Sequence, residues 1–398
     1  MSCLRDLMPA LANKHYFNYG GQGPLPTPSL EAITTSWQKI QELGPFTNKV
    51  WPYITNEIKT TKEHLAKLCS VSRNRIALTE NVTSGCVLPL LGLPFSPGDR
   101  LLISDCEHPG IVSACKELAR RNQLNIDILS VQQLRNGVDK QANTEQCLLE
   151  ALEVALKPKT RIVVLSHILW NTGQSMSIPS VAKTLSKHPN RPFLLVDAAQ
   201  SFGQIPIQGA ANAADIYAFT GHKWACGPEG LGGVSLSERV LAEARPTLIG
   251  WRGLQHEGPL IRDKSDPFYL DSRRFEVATS CVPLLAGLRY SLKLLGEEGT
   301  EIERLIKVQE YSSQLWNKIN NLEGAHPILK GVPPSGLISF TLSQREPAKE
   351  IVKLLGRENF WIRDLEDPEC LRACVHVTTN SEEIQGLIDA MKSLTFSA

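Results

Sequence analysis

The sequence predicts an α/β protein, with a large domain on a mainly parallel seven-stranded sheet and a smaller α+β domain after it. Three observations carry that prediction. Short apolar runs without alternation, such as Phe193–Val196 and Ile216–Phe219, end on polar residues, as strands buried on both faces do. Helical stretches separate most of these runs, which is the alternation of a parallel sheet. After Pro267 the texture changes to a long amphipathic stretch and then short strands and helices.

Taken in order, residues 1–20 are expected to form an arm packing with the small domain, 21–265 the large domain and 266–398 the small one. The arm leads into Gly20-Gly21-Gln22-Gly23-Pro24-Leu25-Pro26, which brings backbone close to something or merely connects to the next helix. Helices are expected near Pro28–Leu43 and Trp51–Cys69. The seven strands are Arg75–Thr79, Arg100–Ser104, Ile126–Val131, Ile162–Ser166, Phe193–Val196, Ile216–Phe219 and Leu231–Leu236. Beyond them, Pro283 to Asn321 carries Leu, Ile and Val at helical spacing. Strands at Gly336–Leu342, Phe360–Arg363 and Leu371–Val377 then alternate with helices at Ala348–Leu355 and Glu382–Leu394.

Bulk properties narrow the function classes. At 398 residues, 42% hydrophobic and a formal net charge of +1, the chain reads as an ordinary globular protein with a large core. Basic residues are not segregated into runs, so no nucleic-acid partner is expected. No apolar stretch approaches the roughly 18 residues of a membrane span, and the first residues lack the apolar core of a secretory signal. The ten cysteines are scattered without CxxC pairs, which argues against a zinc site and for reduced thiols in a cytoplasmic enzyme.

The polar strand ends supply the chemistry. Asp197 could keep a pyridine nitrogen protonated by a charge-assisted hydrogen bond, or merely cap the next helix. Lys223 sits where the chain leaves the core after Phe219-Thr-Gly-His222, and burial would suit its amine to imine formation. Thr220 and His222 could donate to a phosphate, and His108 could stack on a ring or be a plain loop residue. Glu80-Asn-Val-Thr-Ser-Gly85, between a strand and an apolar helix, reads as an anion site, although Thr83 and Ser84 are more often simple caps.

Together, Asn81-Val-Thr-Ser-Gly85, Glu107-His108, Asn171-Thr-Gly173, Val196-Asp-Ala-Ala-Gln200 and Thr220-Gly-His-Lys223 form one ordered set. In order and spacing the chain resembles the pyridoxal-phosphate enzymes of the class V aminotransferase and cysteine desulfurase group. The likeness runs along the whole chain, through Phe275-Glu-Val-Ala-Thr279 to Arg372. It implies a fold-type-I enzyme with pyridoxal 5'-phosphate carried covalently on Lys223, Asp197 on its ring nitrogen, and His108 and Ala199 against its two faces. Gln200 and Asn171 would hold the phenolic oxygen, and Val82 (through its N–H), Thr83, Thr220 and His222 the phosphate. Thr279 would reach the phosphate of a neighbouring subunit, implying a homodimer, and Arg372 would fork the substrate carboxylate. Lys223, His108 and Asp197 are the implied catalytic residues.

The implied activity is C–S cleavage of cystine or cysteine by β-elimination, giving pyruvate, ammonia and a persulfide or sulfide for iron–sulfur assembly. The sulfur acceptor would be a ferredoxin-type apoprotein or a similar partner. The group's desulfurases place a nucleophilic cysteine on a mobile loop well before the carboxylate-binding arginine, whereas here Cys370 stands two residues before Arg372. That favours elimination over a desulfurase yielding alanine; aminotransferase and epimerase chemistry on the same cofactor stay open as alternatives. Trp251, Arg252 and Arg363 are further candidates for reading a long substrate. Trp251 could equally be interface packing, and Arg363 could pair with Asp364 or Glu366.

Overall fold

The computed structural model describes residues 3–134, 144–256, 265–343 and 346–395. An arm with the short strand β1 (His15–Tyr16) leads to helices α1 (Thr27–Leu43) and α2 (Val50–Cys69). The large domain then runs β2 (Ile76–Thr79), α3 (Val82–Gly92), β3 (Arg100–Ser104), α4 (Pro109–Asn122), β4 (Asn125–Leu129), α5 (Thr144–Ala155) and β5 (Thr160–Ser166). It continues through α6 (Ile178–Lys187), β6 (Phe193–Asp197), α7 (Gln208–Ala213), β7 (Ile216–Thr220), β8 (Gly232–Leu236) and α8 (Glu238–Glu243). The remainder is α9 (Pro283–Glu297), α10 (Glu301–Asn320), β9 (Ala325–Pro327), β10 (Leu337–Leu342), α11 (Ala348–Arg357), β11 (Phe360–Trp361), β12 (Arg363–Glu366), β13 (Glu369–Cys374) and α12 (Ser381–Thr395).

The central sheet has the order β2-β8-β7-β6-β5-β3-β4. Strands β3 to β7 pair in parallel, and β8 runs antiparallel to both its neighbours. Every residue of β6 and β7 is buried, because helices cover both faces. Alternate residues feed two cores: Leu102, Val163, Leu165 and Val196 on one face, Leu101, Ile103, Val164 and Leu195 on the other. By area, each such side chain contributes about 2 kcal/mol. The register sets Ser166 beside Asp197 and Asp197 beside Ala218, so the carboxyl ends of the strands share one edge. Phe275, Leu285 and Leu288 join these cores, so α9 and the turn before it lean on the large sheet.

The C-terminal domain is built on an antiparallel sheet, β12-β13-β10-β9. Two features depart from the sequence expectation. The stretch Pro283–Asn321 is two helices, because Gly299 takes φ +120° and Thr300 with Glu303 forms a capping box for α10. The run Phe360–Arg363 divides: β11 leaves the sheet to pair in parallel with β1, and Arg363 opens β12. The arm is tied down further where Arg5 forks Glu383 at 2.7 and 2.9 Å.

Candidate active site

The ends of β5 and β6, the loop after β3 and the turn after β7 open onto a cavity of about 280 Å³. The Gly20–Gly21 turn, the start of α3 and two arginines of the C-terminal domain complete its wall. Lys223 lies in this wall, and burial, helped by the charges of Arg372 and Arg363, lowers its amine to about 8 against the opposing pull of Asp197. The Asp197 carboxyl is 5% exposed and accepts the Ala199 N–H at 2.8 Å. Burial raises it, while that N–H and the neighbouring Lys223 and His108 oppose the rise. Asp197 therefore closes a turn rather than capping a helix.

Helix α3 begins on Asn81, whose side chain accepts the Ser84 N–H at 2.9 Å. Thr83 and Ser84 are thus not the cap. The first two amides, those of Val82 and Thr83, have no intrahelical acceptor and both residues line the cavity. His222, which lines the cavity, is bonded through Nδ1 to the Thr220 hydroxyl at 2.7 Å, so this contact does not use Nε2. Burial, then Lys223, lowers its pKa. His108 caps α4, accepting the Gly110 N–H at 3.2 Å, and meets the Trp170 ring edge-on at 5.7 Å. Its own pKa is lowered by burial and by Lys223.

Arg372 is 1% exposed and donates from Nη1 to the Trp170 carbonyl at 2.7 Å, leaving Nε and Nη2 without partners among the described residues. Such orphaned donors cost free energy until a ligand oxygen accepts from them. Arg363 stands opposite Arg372 across the β12–β13 register and lines the same cavity; no ion pair joins it to Asp364 or Glu366. The expected close approach of the Gly20–Pro26 stretch is to this wall. A Cβ on Gly23 would collide with the Lys223 carbonyl, and one on Gly20 would stand 2.9 Å from Arg372 Nη2.

The structure thus gathers Lys223, Asp197, His108, Val82, Thr83, Ala199, Gln200, His222, Arg363 and Arg372 around one space. Gln200 uses one amide N–H on the Gly20 carbonyl at 2.9 Å and its oxygen on the Trp224 indole at 2.8 Å. Asn171 and Thr220 are not in the cavity lining: the Asn171 amide donates to the Asp367 carbonyl at 3.3 Å with its own oxygen unpartnered among the described residues, and the Thr220 hydroxyl meets His222, which does line it. Thr279, Trp251 and Arg252 line a separate cavity of about 970 Å³, beside Trp37, Phe46 and Trp51.

Two residues at the site had no role in the sequence reading. Trp170 lies four residues past the expected strand Ile162–Ser166, and its place directly before Asn171-Thr-Gly is a signal. Glu107 is 6% exposed and ties β3 to β5, accepting from the Ser104 hydroxyl, the Ser166 N–H and the Ser166 hydroxyl at 2.5, 2.8 and 2.7 Å. Burial raises it to about 7.

Residues 29–387 match the family model described as aminotransferase class-V. The cystine C–S lyase C-DES, solved with its reaction product cysteine persulfide, is 38% identical, covers 97% of this chain and 99% of its own, and superposes with a TM-score of 0.90. A C-DES variant with glycine covalently linked to its pyridoxal-phosphate cofactor fits equally, at 38% identity over 98% of both chains and a TM-score of 0.90. A probable cysteine desulfurase of Methanothermobacter thermautotrophicus is 24% identical over 98% of this chain and 96% of its own. An isopenicillin N epimerase of Amycolatopsis lactamdurans matches at the same identity and coverage. A match spanning both domains, with the C-DES fold along nearly the whole length, makes the chain a member of the class V aminotransferase family of fold-type-I pyridoxal-phosphate enzymes.

Proposed function

We propose that this enzyme is a C–S lyase that eliminates the β-sulfur of L-cystine, yielding pyruvate, ammonia and cysteine persulfide. The observation that carries the substrate is the guanidinium pair, Arg372 and Arg363, side by side above Lys223. A simple amino acid brings one carboxylate for one arginine, whereas cystine brings two. The likeness to C-DES supports the same substrate. The enzyme is one of pyridoxal phosphate, and the residues fit that group. Lys223 offers an amine to its aldehyde, Asp197 a carboxylate to its ring nitrogen, and the unused α3 amides with His222 a seat for its phosphate.

When bound, pyridoxal phosphate supplies the electron sink that makes the Cα–H of an attached amino acid acidic. The chain's own residues do the rest. The Lys223 amine, lowered to about 8, has a neutral fraction of about one-tenth at pH 7 that grows as pH rises, and can take the Cα proton once the substrate amine has displaced it. Buried Asp197 would keep its charge by pairing with a protonated ring nitrogen. His108 would cover one ring face and Ala199 the other, and the second Gln200 N–H would be available to the phenolic oxygen. Arg372 receives the substrate carboxylate on Nε and Nη2, and Arg363 receives the distal one. The Cβ–S electron pair leaves with sulfur as cysteine persulfide, and water converts the remaining three-carbon fragment to pyruvate and ammonia.

The persulfide would serve a sulfur acceptor of iron–sulfur assembly in the cytoplasm. Thr279, Trp251 and Arg252 would act across a homodimer, at the partner's site. Product analysis tests the reading. Pyruvate in equal amount to ammonia, faster from L-cystine than from L-cysteine, is the expected result; alanine in step with released sulfur would replace it by a desulfurase.

A further inference from the structure

The residue after the site lysine is held on three sides. Trp224 is fully buried; its indole N–H donates to Gln200, and its backbone carbonyl accepts from His376 Nε2 at 3.2 Å. Its ring lies near Tyr19 and His376, at 6.1 and 6.3 Å between centroids, while Tyr19 and His376 stack at 4.3 Å with only 12° between their planes. Three distant parts of the chain meet here: Tyr19 from the arm, Trp224 from the large domain, and His376 from the loop after β13, four residues beyond Arg372.

The hydrogen bonds fix a direction. A carbonyl only accepts, so His376 must carry its proton on Nε2, and Nδ1 is then an acceptor. Thr378 is within 3.0 Å of that Nδ1 and must donate its hydroxyl proton there. The Tyr19 hydroxyl, 2.7 Å from Thr378 Oγ1, must in turn donate to Thr378. The relay Tyr19 to Thr378 to His376 to the Trp224 carbonyl thus has one consistent orientation, and burial, which pushes His376 down to about 3, keeps the ring neutral throughout.

We infer that His376 is a positioning residue for Lys223, acting through the Trp224 carbonyl. The bond acts on the segment closed by the turn in which the Cys226 N–H meets the Lys223 carbonyl at 3.0 Å. Because His376 follows Arg372 on one strand and loop, the clamp also fixes the distance between the substrate arginine and the lysine.

Three variants separate this role from packing. His376→Gln places an amide N–H where Nε2 stood; His376→Asn keeps only the Thr378 contact; His376→Phe keeps the ring and loses both bonds. In the holoenzymes, the pH at which the visible band of the bound cofactor titrates and the kcat and KM for L-cystine are measured. His376→Asn and His376→Phe should displace the titration and lower kcat by tenfold or more, a displacement of about 1 Å being enough for that. KM should stay within about twofold, and His376→Gln should stay close to wild type. Wild-type behaviour in all three, equal damage in all three, or sparing of His376→Asn alone would overturn the inference. Should His376→Phe fail to fold, the Asn and Gln pair decides. The inference rests on Lys223 as the cofactor-bearing lysine, and Lys223→Ala tests that separately: a lysine-linked band surviving there would defeat the assignment whatever His376 does.

Discussion

At the scale of single residues, the site is a set of charges made unusual by burial. The Lys223 amine reacts with a carbonyl only when neutral, and lowering it to about 8 puts that form within reach of ordinary pH. Below about 8 it is increasingly protonated and above it neutral. Capture of pyridoxal phosphate by the cofactor-stripped protein should therefore speed up with rising pH and level off above about 8. A capture rate that climbs without a break to pH 10 would mean an ordinary, unburied lysine. Asp197, the last residue of a buried strand, and Lys223, three residues past another, were legible in sequence through their motifs, although Asp197 alone could have been a helix cap. Glu107 and His376 were not, because a carboxylate or imidazole in a loop gives no sign of the distant partners that bury it. Asn171 had a legible motif, and the contact of its amide with the Asp367 carbonyl at 3.3 Å is one the motif does not foretell.

At the scale of elements, the two arginines depend on a hairpin. Glu366 pairs with Glu369, so only Asp367 and Pro368 form the turn between β12 and β13. No mobile loop exists there to carry a nucleophile to the cavity, and Cys370, 2% exposed opposite Leu365, does not line the cavity that holds Lys223. Cys370→Ala should keep most of the turnover with cystine and cost about 1 kcal/mol of stability, as a small packing change does. Loss of nearly all sulfur release, with the protein still folded, would return the desulfurase. The central strands β5, β6 and β7 were readable because runs buried on both faces have no alternation to obscure them, whereas edge strand β4, with Ile126 and Ile128 exposed, is not buried in this way. The separate pairing of β11 with β1 was not, since two residues carry no periodic signal and their partner lies more than 340 residues away.

At the scale of the whole molecule, the cavity holding Thr279, Trp251 and Arg252 is bordered by aromatic side chains left in solvent. Phe46 is 83% exposed, Trp37 48% and Trp251 41%. A contiguous apolar surface of this kind calls for a partner, and two copies related by a twofold axis would bring each Thr279 to the other's site. Mixing Lys223→Ala with Thr279→Asp, each inactive alone, should then restore about a quarter of wild-type activity, because half the dimers are mixed and each of those has one intact site. Absence of restoration in demonstrably mixed dimers would place Thr279 in its own subunit's site. The motif around Thr279 implied such a pairing only through the family resemblance, since how two folded surfaces meet leaves no pattern in the residues themselves. The pairing of His15 and Tyr16 with Phe360 and Trp361 sets an order of events in synthesis. The ribosome releases the arm first, yet its partner strand emerges only after nine-tenths of the chain, a contact of very high sequence separation. Since the Gly20 turn that follows the arm walls the lysine cavity, a nascent chain can complete its large sheet and still lack a closed active site until translation is almost finished.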